Sequence, residues 1–424
     1  MKIHIKNGRL VDPTNGIDAV NDIFIAAGKI LAIGDAPDNF HANRVIDAES
    51  LVVCPGLVDL SVRLREPGHE YMATLESEMG AAVAGGITSL ACPPDTDPPL
   101  DEPGLVEMLK HRAKNLNLAH VYPIGALTQG LRGERLTEMA ELSDAGCIVF
   151  GQSDVPLTNL RTMMQAMRYA ATFGFSVWLR PQEASLTNDG VAHDGEIATR
   201  LGLPTIPVCA ETIALSNIIL LTRETGVHVH LCRLSTLDGI ELVRAARQQG
   251  LSITCDVAIN HLHLSEMDIG FFDSNCHLMP PLRGMSDRDA LRNGLLEGTI
   301  DAVCSDHAPV DEDAKLLPFG QSEIGATGVE LLLPLTLKWG IEMRIPLITV
   351  LAKITAAPAR ILGIDAGHLS LGAAADLCIF DAEQYWRVVT SAIKSQGKNT
   401  PFLGMELPGK IKYTLVNGQI VYED

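Results

Sequence analysis

The chain has no stretch of roughly 18 consecutive apolar residues, so nothing in it is long enough to cross a bilayer as a helix. It is also short of positive charge. Lys and Arg total 33 against 52 Asp and Glu, a formal net charge of −19. That balance argues against nucleic acid and anionic membrane as partners and leaves room for a basic protein surface. No CxxC pair occurs among the nine cysteines. Cys232, Cys255 and Cys304 sit inside apolar runs, which reads as buried thiols in a reducing compartment. A phosphate-binding loop, a dinucleotide-binding glycine fingerprint and a nucleophile elbow are missing too, so nucleotide and serine chemistry have no support. The opening MKIHIKNGRLVD alternates like a strand and lacks the apolar core of a secretory leader. The expectation is a cytoplasmic protein.

What is there suits a folded chain with a sizeable core: 424 residues, 46% hydrophobic and 20% charged. That length exceeds the roughly 250 residues of an α/β barrel, which predicts one large domain plus something smaller. Residues 1–54 hold short alternating runs broken by Asn-Gly, Ala-Gly-Lys and Gly-Asp, a hairpin pattern. Residues 362–424 repeat that style in ADLCIFD and KYTLVNGQIVYED. The two terminal segments are expected to pack as a small β-sandwich flanking residues 55–361. In that central stretch eight apolar runs alternate with amphipathic ones: GLVDLSVRL, GITSLACPP, AHVYPIGAL, AGCIVFGQS, FSVWLRPQ, VHVHLCRLS, LSITCDVAI and TIDAVCSDHAP. This rhythm predicts a (β/α)8 TIM-type barrel, with LRTMMQAMRYAATFG and TLDGIELVRAARQQG among its helices. Chemistry in such barrels sits at the C-terminal ends of the strands. Those ends carry Arg63, Asp95, Gln152 with Ser153, Arg180, Arg233, Asn260 and Asp306.

The segments VDLSVRLREPG, AGGITSLACPPDTDPP, HVHLCRLST, CDVAINHLHLSEMDI, MPPLRGMSDRDAL, GTIDAVCSDHAP, ITAAPARILG and GKNTPFLGMELPGKIKYTLVNG together resemble the dihydroorotases of the amidohydrolase superfamily, nearly end to end. The resemblance implies an enzyme that forms and opens the dihydroorotate ring with a metal-activated hydroxide. It also implies where the metal ligands belong, and most of them are missing. The His-x-His pair of the first strand is Ser61 and Arg63. The acidic ligand of the fourth falls on Ser153, beside Gln152, and a one-residue slip would bring in Asp154. The histidines of the fifth and sixth fall on Arg180 and Arg233, although His230 remains. Asp306, which in the family binds metal and shuttles the proton, is kept. Of the family's substrate groups Arg65 is present, while Asp95, Met279 and Val310 stand where two asparagines and a histidine belong.

An arginine cannot replace these ligands, because a guanidinium has no free lone pair and does not deprotonate at working pH. The expectation is therefore a site without zinc, in which one or more of Arg63, Arg180 and Arg233 supplies the positive charge once supplied by metal and pairs with Asp306. The plainer alternative makes these arginines ordinary rim residues. A relocated metal site stays open at His228-x-His230 or His261-x-His263, whose spacing puts two rings on one face. His307 is expected to point away from Asp306, and His69 and His193 read as polar loop residues. PPDTDPPLDEPG reads as a solvated loop, and VDEDAKLLPFGQSEIGAT as a long loop with nothing to close on. By resemblance, the type is a degenerate dihydroorotase that serves as a non-catalytic partner of the aspartate carbamoyltransferase catalytic chain, as a homodimer within a hetero-oligomer. The alternative is an active amidohydrolase with a relocated or minimal metal site.

Overall fold

The computed structural model describes residues 1–424. All eight expected barrel strands form: β1 Leu57–Asp59, β2 Ile87–Cys92, β3 His120–Ala126, β4 Val149–Gly151, β5 Ser176–Leu179, β6 Val229–Leu231, β7 Ile253–Ala258 and β8 Ala302–Cys304. They pair in parallel in chain order along one path. Every residue of β2 is buried, as expected for a parallel strand covered on both faces. The ends of the path meet through backbone bonds, from His307 N to Ser61 O at 3.0 Å and from Arg63 N to His307 O at 2.9 Å. Asp59 adds a side-chain stitch, its Oδ1 accepting from Ser61 N at 3.2 Å and Ser305 N at 3.0 Å. Burial pushes this carboxyl up to about 6.

The connecting helices start and stop where local chemistry demands. Helix Leu160–Phe173 begins on Asn159, whose side chain accepts from Arg161 N and Thr162 N, and ends on Gly174 at φ 73°. Helix Leu237–Gln248 is capped by Thr236, which accepts from Gly239 N. Such caps satisfy amides that the first turn leaves without partners. Inside the barrel, Val58, Leu60, Ala91, Ile124, Trp178 and Cys304 pack with Ala357, Ile361 and Leu362. Val58 N donates to Ile354 O and Val303 N to Lys353 O, so helix Ala356–Leu362 stoppers the N-terminal end. The C-terminal mouth is left for function.

The two ends of the chain do combine, as one continuous hydrogen-bonded sheet of eight strands. Strand Lys2–Asp12 branches it, pairing in parallel with Arg44–Asp47 over its first half and with Val52–Pro55 over its second. Val52–Pro55 pairs antiparallel with Leu377–Arg387, which joins the N- and C-terminal segments around a separate apolar core that includes Ile3, Ile25, Val53 and Leu415. Beyond Arg387 the chain returns to the barrel. Ser395 Oγ donates to Glu78 Oε2 at 2.6 Å, and Asn399 Nδ2 donates to the carbonyls of Ala308 and Gly325. This stretch therefore braces the loop after β8 from outside.

Candidate functional site

Four non-glycine residues at the barrel mouth take left-handed backbone: Arg65 at φ 60°, Ser153 at 52°, Arg233 at 56° and Asp306 at 48°. For an L-residue this conformation costs about 1–2 kcal/mol, so each turn must be held by its surroundings. The turn after β6 has such holders. Asp256 Oδ1 accepts from Arg233 N, and buried Glu211 accepts from the amides and hydroxyls of Ser235 and Thr236. The turns at Arg233 and Asp306, with the ends of β1 and β5, bring Arg63, Arg180, Arg233 and Asp306 to one place.

There they form a lattice of ion pairs. Arg63 donates through Nε to Asp95 Oδ2 at 2.8 Å, through Nη2 to Asp154 Oδ2 at 2.6 Å and through Nη1 to Asp306 Oδ1 at 3.3 Å. Arg233 donates through Nη1 to Asp306 Oδ1 at 2.7 Å and through Nη2 to Asp154 Oδ1. Arg180 donates through Nε to Asp154 Oδ1 at 2.8 Å and through Nη2 to the Asp154 carbonyl at 2.9 Å. Ser61 Oγ donates to Asp306 Oδ1 at 3.4 Å. Three guanidinium groups thus meet three carboxylates, and the formal charges cancel. The arginine side chains are only 7%, 4% and 5% exposed for Arg63, Arg180 and Arg233, while Asp154 is 33% exposed. Buried charges of this kind persist only when paired.

The pairing shows in the acidities. Burial alone would raise the Asp154 carboxyl, but Arg233, Arg63 and Arg180 outweigh it and hold the group far below the usual carboxylate range. Asp95 is likewise lowered, with Arg63 overcoming burial. Burial pulls the Arg180 guanidinium down, whereas Arg63 and Arg233 are held above their ordinary range because neighbouring aspartates outweigh burial.

Two positions differ from the sequence expectation. At the end of β4 the side chain delivered to the lattice is Asp154 and not Ser153, because the left-handed turn at Ser153 advances the chain by one residue. Gln152 points elsewhere, donating to Thr128 Oγ1 and the Leu131 carbonyl. The second is Asp95, expected at a strand end as an altered substrate residue beside a solvated loop, which is a full ion-pair partner of Arg63. The loop after β8 is also better held than expected: Lys315 Nζ donates to the carbonyls of Ser274 and Glu323, and Phe319 is buried. Arg65 stays at the rim, its Nε donating to Pro309 O at 2.8 Å. Val310 is buried and Met279 half-buried, and neither side chain supplies the hydrogen-bonding group of the residue it stands for.

None of the histidines joins the lattice. His307 Nε2 donates to Glu78 Oε2 at 2.6 Å while its Nδ1 accepts from Gly328 N, facing away from Asp306 as expected. His228 and His230 both reach Thr254 Oγ1, and His230 continues to Asp256 Oδ2 at 3.2 Å. His261 Nε2 lies 3.1 Å from Pro280 O, and His263 Nε2 lies 2.9 Å from Leu335 O. Burial lowers both rings to about 4. His193 meets Arg283. No three His, Cys, Asp or Glu side chains converge as metal ligands do. At the lattice, three groups without lone pairs occupy the carboxylates, a donor set that does not fit zinc.

The comparisons with known proteins agree with this architecture. Residues 50–239 match the Dihydro-orotase-like family and residues 276–422 the Amidohydrolase family. A dihydroorotase-like protein of Pseudomonas putida is 44% identical over 422 residues, covering 100% of this chain and 99% of its own. A dihydroorotase of Geobacter sp. (strain M21) is 38% identical over 423 residues, covering both chains fully. Among solved structures, the L-hydantoinase of Arthrobacter aurescens superposes with a TM-score of 0.89 at 26% identity, over 99% of this chain and 96% of its own. With a parallel barrel of this topology and relatives matched along their whole length, the chain belongs to the dihydroorotase-like proteins of the amidohydrolase superfamily.

Proposed function

We propose that the chain is a catalytically inactive dihydroorotase homologue, a non-catalytic structural subunit that supports assembly and activity of aspartate carbamoyltransferase in de novo pyrimidine synthesis. One observation carries the loss of chemistry: Arg63, Arg180 and Arg233 converge on Asp154 and Asp306, at the strand ends where the family's metal ligands belong. A hydroxide activated by metal needs a cation with an open coordination position. Here the cationic charge is built into the chain and already neutralised. The site therefore takes no zinc and turns over no dihydroorotate. The partner rests on the resemblance, and the acidic surface, with its net charge of −19, favours a basic face on it. The proposed assembly is a cytoplasmic hetero-oligomer containing a homodimer of this chain.

The test is to co-express the chain with aspartate carbamoyltransferase catalytic chains and follow co-elution, transcarbamoylase activity and dihydroorotate turnover. A stable complex with raised transcarbamoylase activity and no dihydroorotate turnover is expected. Separate elution would remove the structural role. An active amidohydrolase is the second reading, favoured by the name dihydroorotase on relatives 38% identical along the full length. It requires measurable turnover of dihydroorotate or a related cyclic amide.

A further inference from the structure

Among the six charged groups of the lattice, Asp154 differs from the rest. The three arginines stand on strand ends of the barrel and are buried. Asp154 belongs to the loop after β4, next to the left-handed turn at Ser153, and is the most exposed member, at 33%. Its two carboxylate oxygens take one bond from each arginine. Arg63 and Arg233 have Asp306 as well, and Arg63 has Asp95. Arg180 has no acid but Asp154. Without the Asp154 carboxylate, three guanidinium groups would face two carboxylates, leaving one net positive charge and Arg180 Nε without its acceptor, while Nη2 keeps the Asp154 backbone carbonyl.

A cavity of about 110 Å3 opens beside that guanidinium, lined by Ser153, Val155, Leu157, Arg180 and Gln182 among others. The space exceeds what one water molecule needs. Arg180 is the one cationic side chain that lines it, while Glu183, Gln182 and Asn217 are among its other polar residues, so an anion entering it would be drawn to the guanidinium. Arginine forks recognise planar carboxylates and phosphate groups with paired, charge-assisted bonds.

We propose that the three-arginine cradle is an oxyanion-binding site whose resident occupant is the chain's own Asp154 carboxylate, and that a small ligand bearing a carboxylate or a phosphate group takes that place from the cavity side. Asp154 acts as a tethered competitor, so the wild-type chain admits only ligands that outcompete a group held at high local concentration. The inference rests on the reading that guanidinium groups stand where the family holds metal.

Formate and inorganic phosphate are the probes, tested on full-length wild type, Asp154→Ala and Asp154→Asn by thermal unfolding, with chloride at matched ionic strength as control. Asp154→Asn keeps the side-chain volume and serves if Asp154→Ala does not fold. Each anion-free variant melts below wild type. Formate or phosphate is expected to raise the variant's midpoint saturably, by about 2 °C or more at saturation, with a smaller rise for wild type. Adding Arg180→Gln to the variant is expected to abolish the rise. The more effective probe identifies a carboxylate or a phosphate ligand. A response no larger than that to chloride, or one that survives Arg180→Gln, overturns the inference. Zinc content is measured on the same samples: stoichiometric metal in wild type would overturn the underlying reading independently of anion rescue.

Discussion

Replacing Arg233 by Met and Asp306 by Asn, singly and together, probes the lattice at its most buried pair, where Nη1 and Oδ1 lie 2.7 Å apart with side chains 5% and 10% exposed. Arg233→Met leaves two guanidinium groups against three carboxylates; Asp306→Asn leaves three against two. Removing one partner of a buried pair costs about 3–5 kcal/mol because the other charge stays buried and unmatched. The lower end, about 3 kcal/mol, applies to each single change here. Asp306 retains Arg63 at 3.3 Å, and Arg233 retains Asp154. The double variant restores charge balance, with Met filling part of the vacated volume, so its loss falls well short of the sum. A coupling energy of about 3 kcal/mol is expected. Urea denaturation of the four proteins, compared at equal slope, measures it. Additive losses, or a coupling below about 0.5 kcal/mol as in exposed pairs, would refute the picture of a buried neutral lattice.

Acid should weaken the protein through Asp154. Its folded pKa is depressed by the arginines, so the stability it supplies is present above the unfolded value of about 3.9 and is lost as pH falls toward the folded value. The unfolding midpoint of wild type should therefore drop below about pH 4 more steeply than that of Asp154→Asn. Parallel curves would contradict this. His261 acts at higher pH: burial holds it near 4 against about 6.5 unfolded, so stability declines between those values as the unfolded chain takes up the proton first, by about 3 kcal/mol. His261→Gln should flatten that interval in a pH series of denaturation curves. If, as proposed, guanidinium groups stand in place of the metal, dialysis against a chelator should leave the thermal midpoint of wild type unchanged, because binding linkage then has nothing to act on.

The barrel was legible because its strands are continuous apolar runs with a regular βα spacing, and because the Gly and Asn that punctuate its helices have local reasons to be there. The pairing of Arg63 and Arg233 with Asp306 was legible too, from the family resemblance joined to charge balance: a retained buried acid surrounded by new arginines has few other ways to be satisfied. What escaped was geometry that depends on backbone conformation. The sequence left Ser153 and, by a one-residue slip, Asp154 both open; the left-handed residue at Ser153 decides for 154, and no periodicity encodes that choice. Asp95 looked like a strand-end residue opening a solvated loop, because neighbouring prolines and aspartates mask it. Its role emerges only when the loop after β2 folds back beside Arg63. The bracing acids Glu78 and Glu211 were likewise hidden, since a glutamate in an amphipathic helix looks the same whether it meets water or a buried turn. The terminal segments read as hairpins, while the branching of one sheet at Lys2–Asp12 depends on pairings between distant parts of the chain.

The most direct test of the central claim, that guanidinium groups occupy the place of the metal, is elemental analysis of the wild-type chain purified without chelator from zinc-supplemented cells. Far less than one equivalent of zinc per chain is the predicted result. About one equivalent, retained through gel filtration and lost on substitution of Asp306, would contradict it.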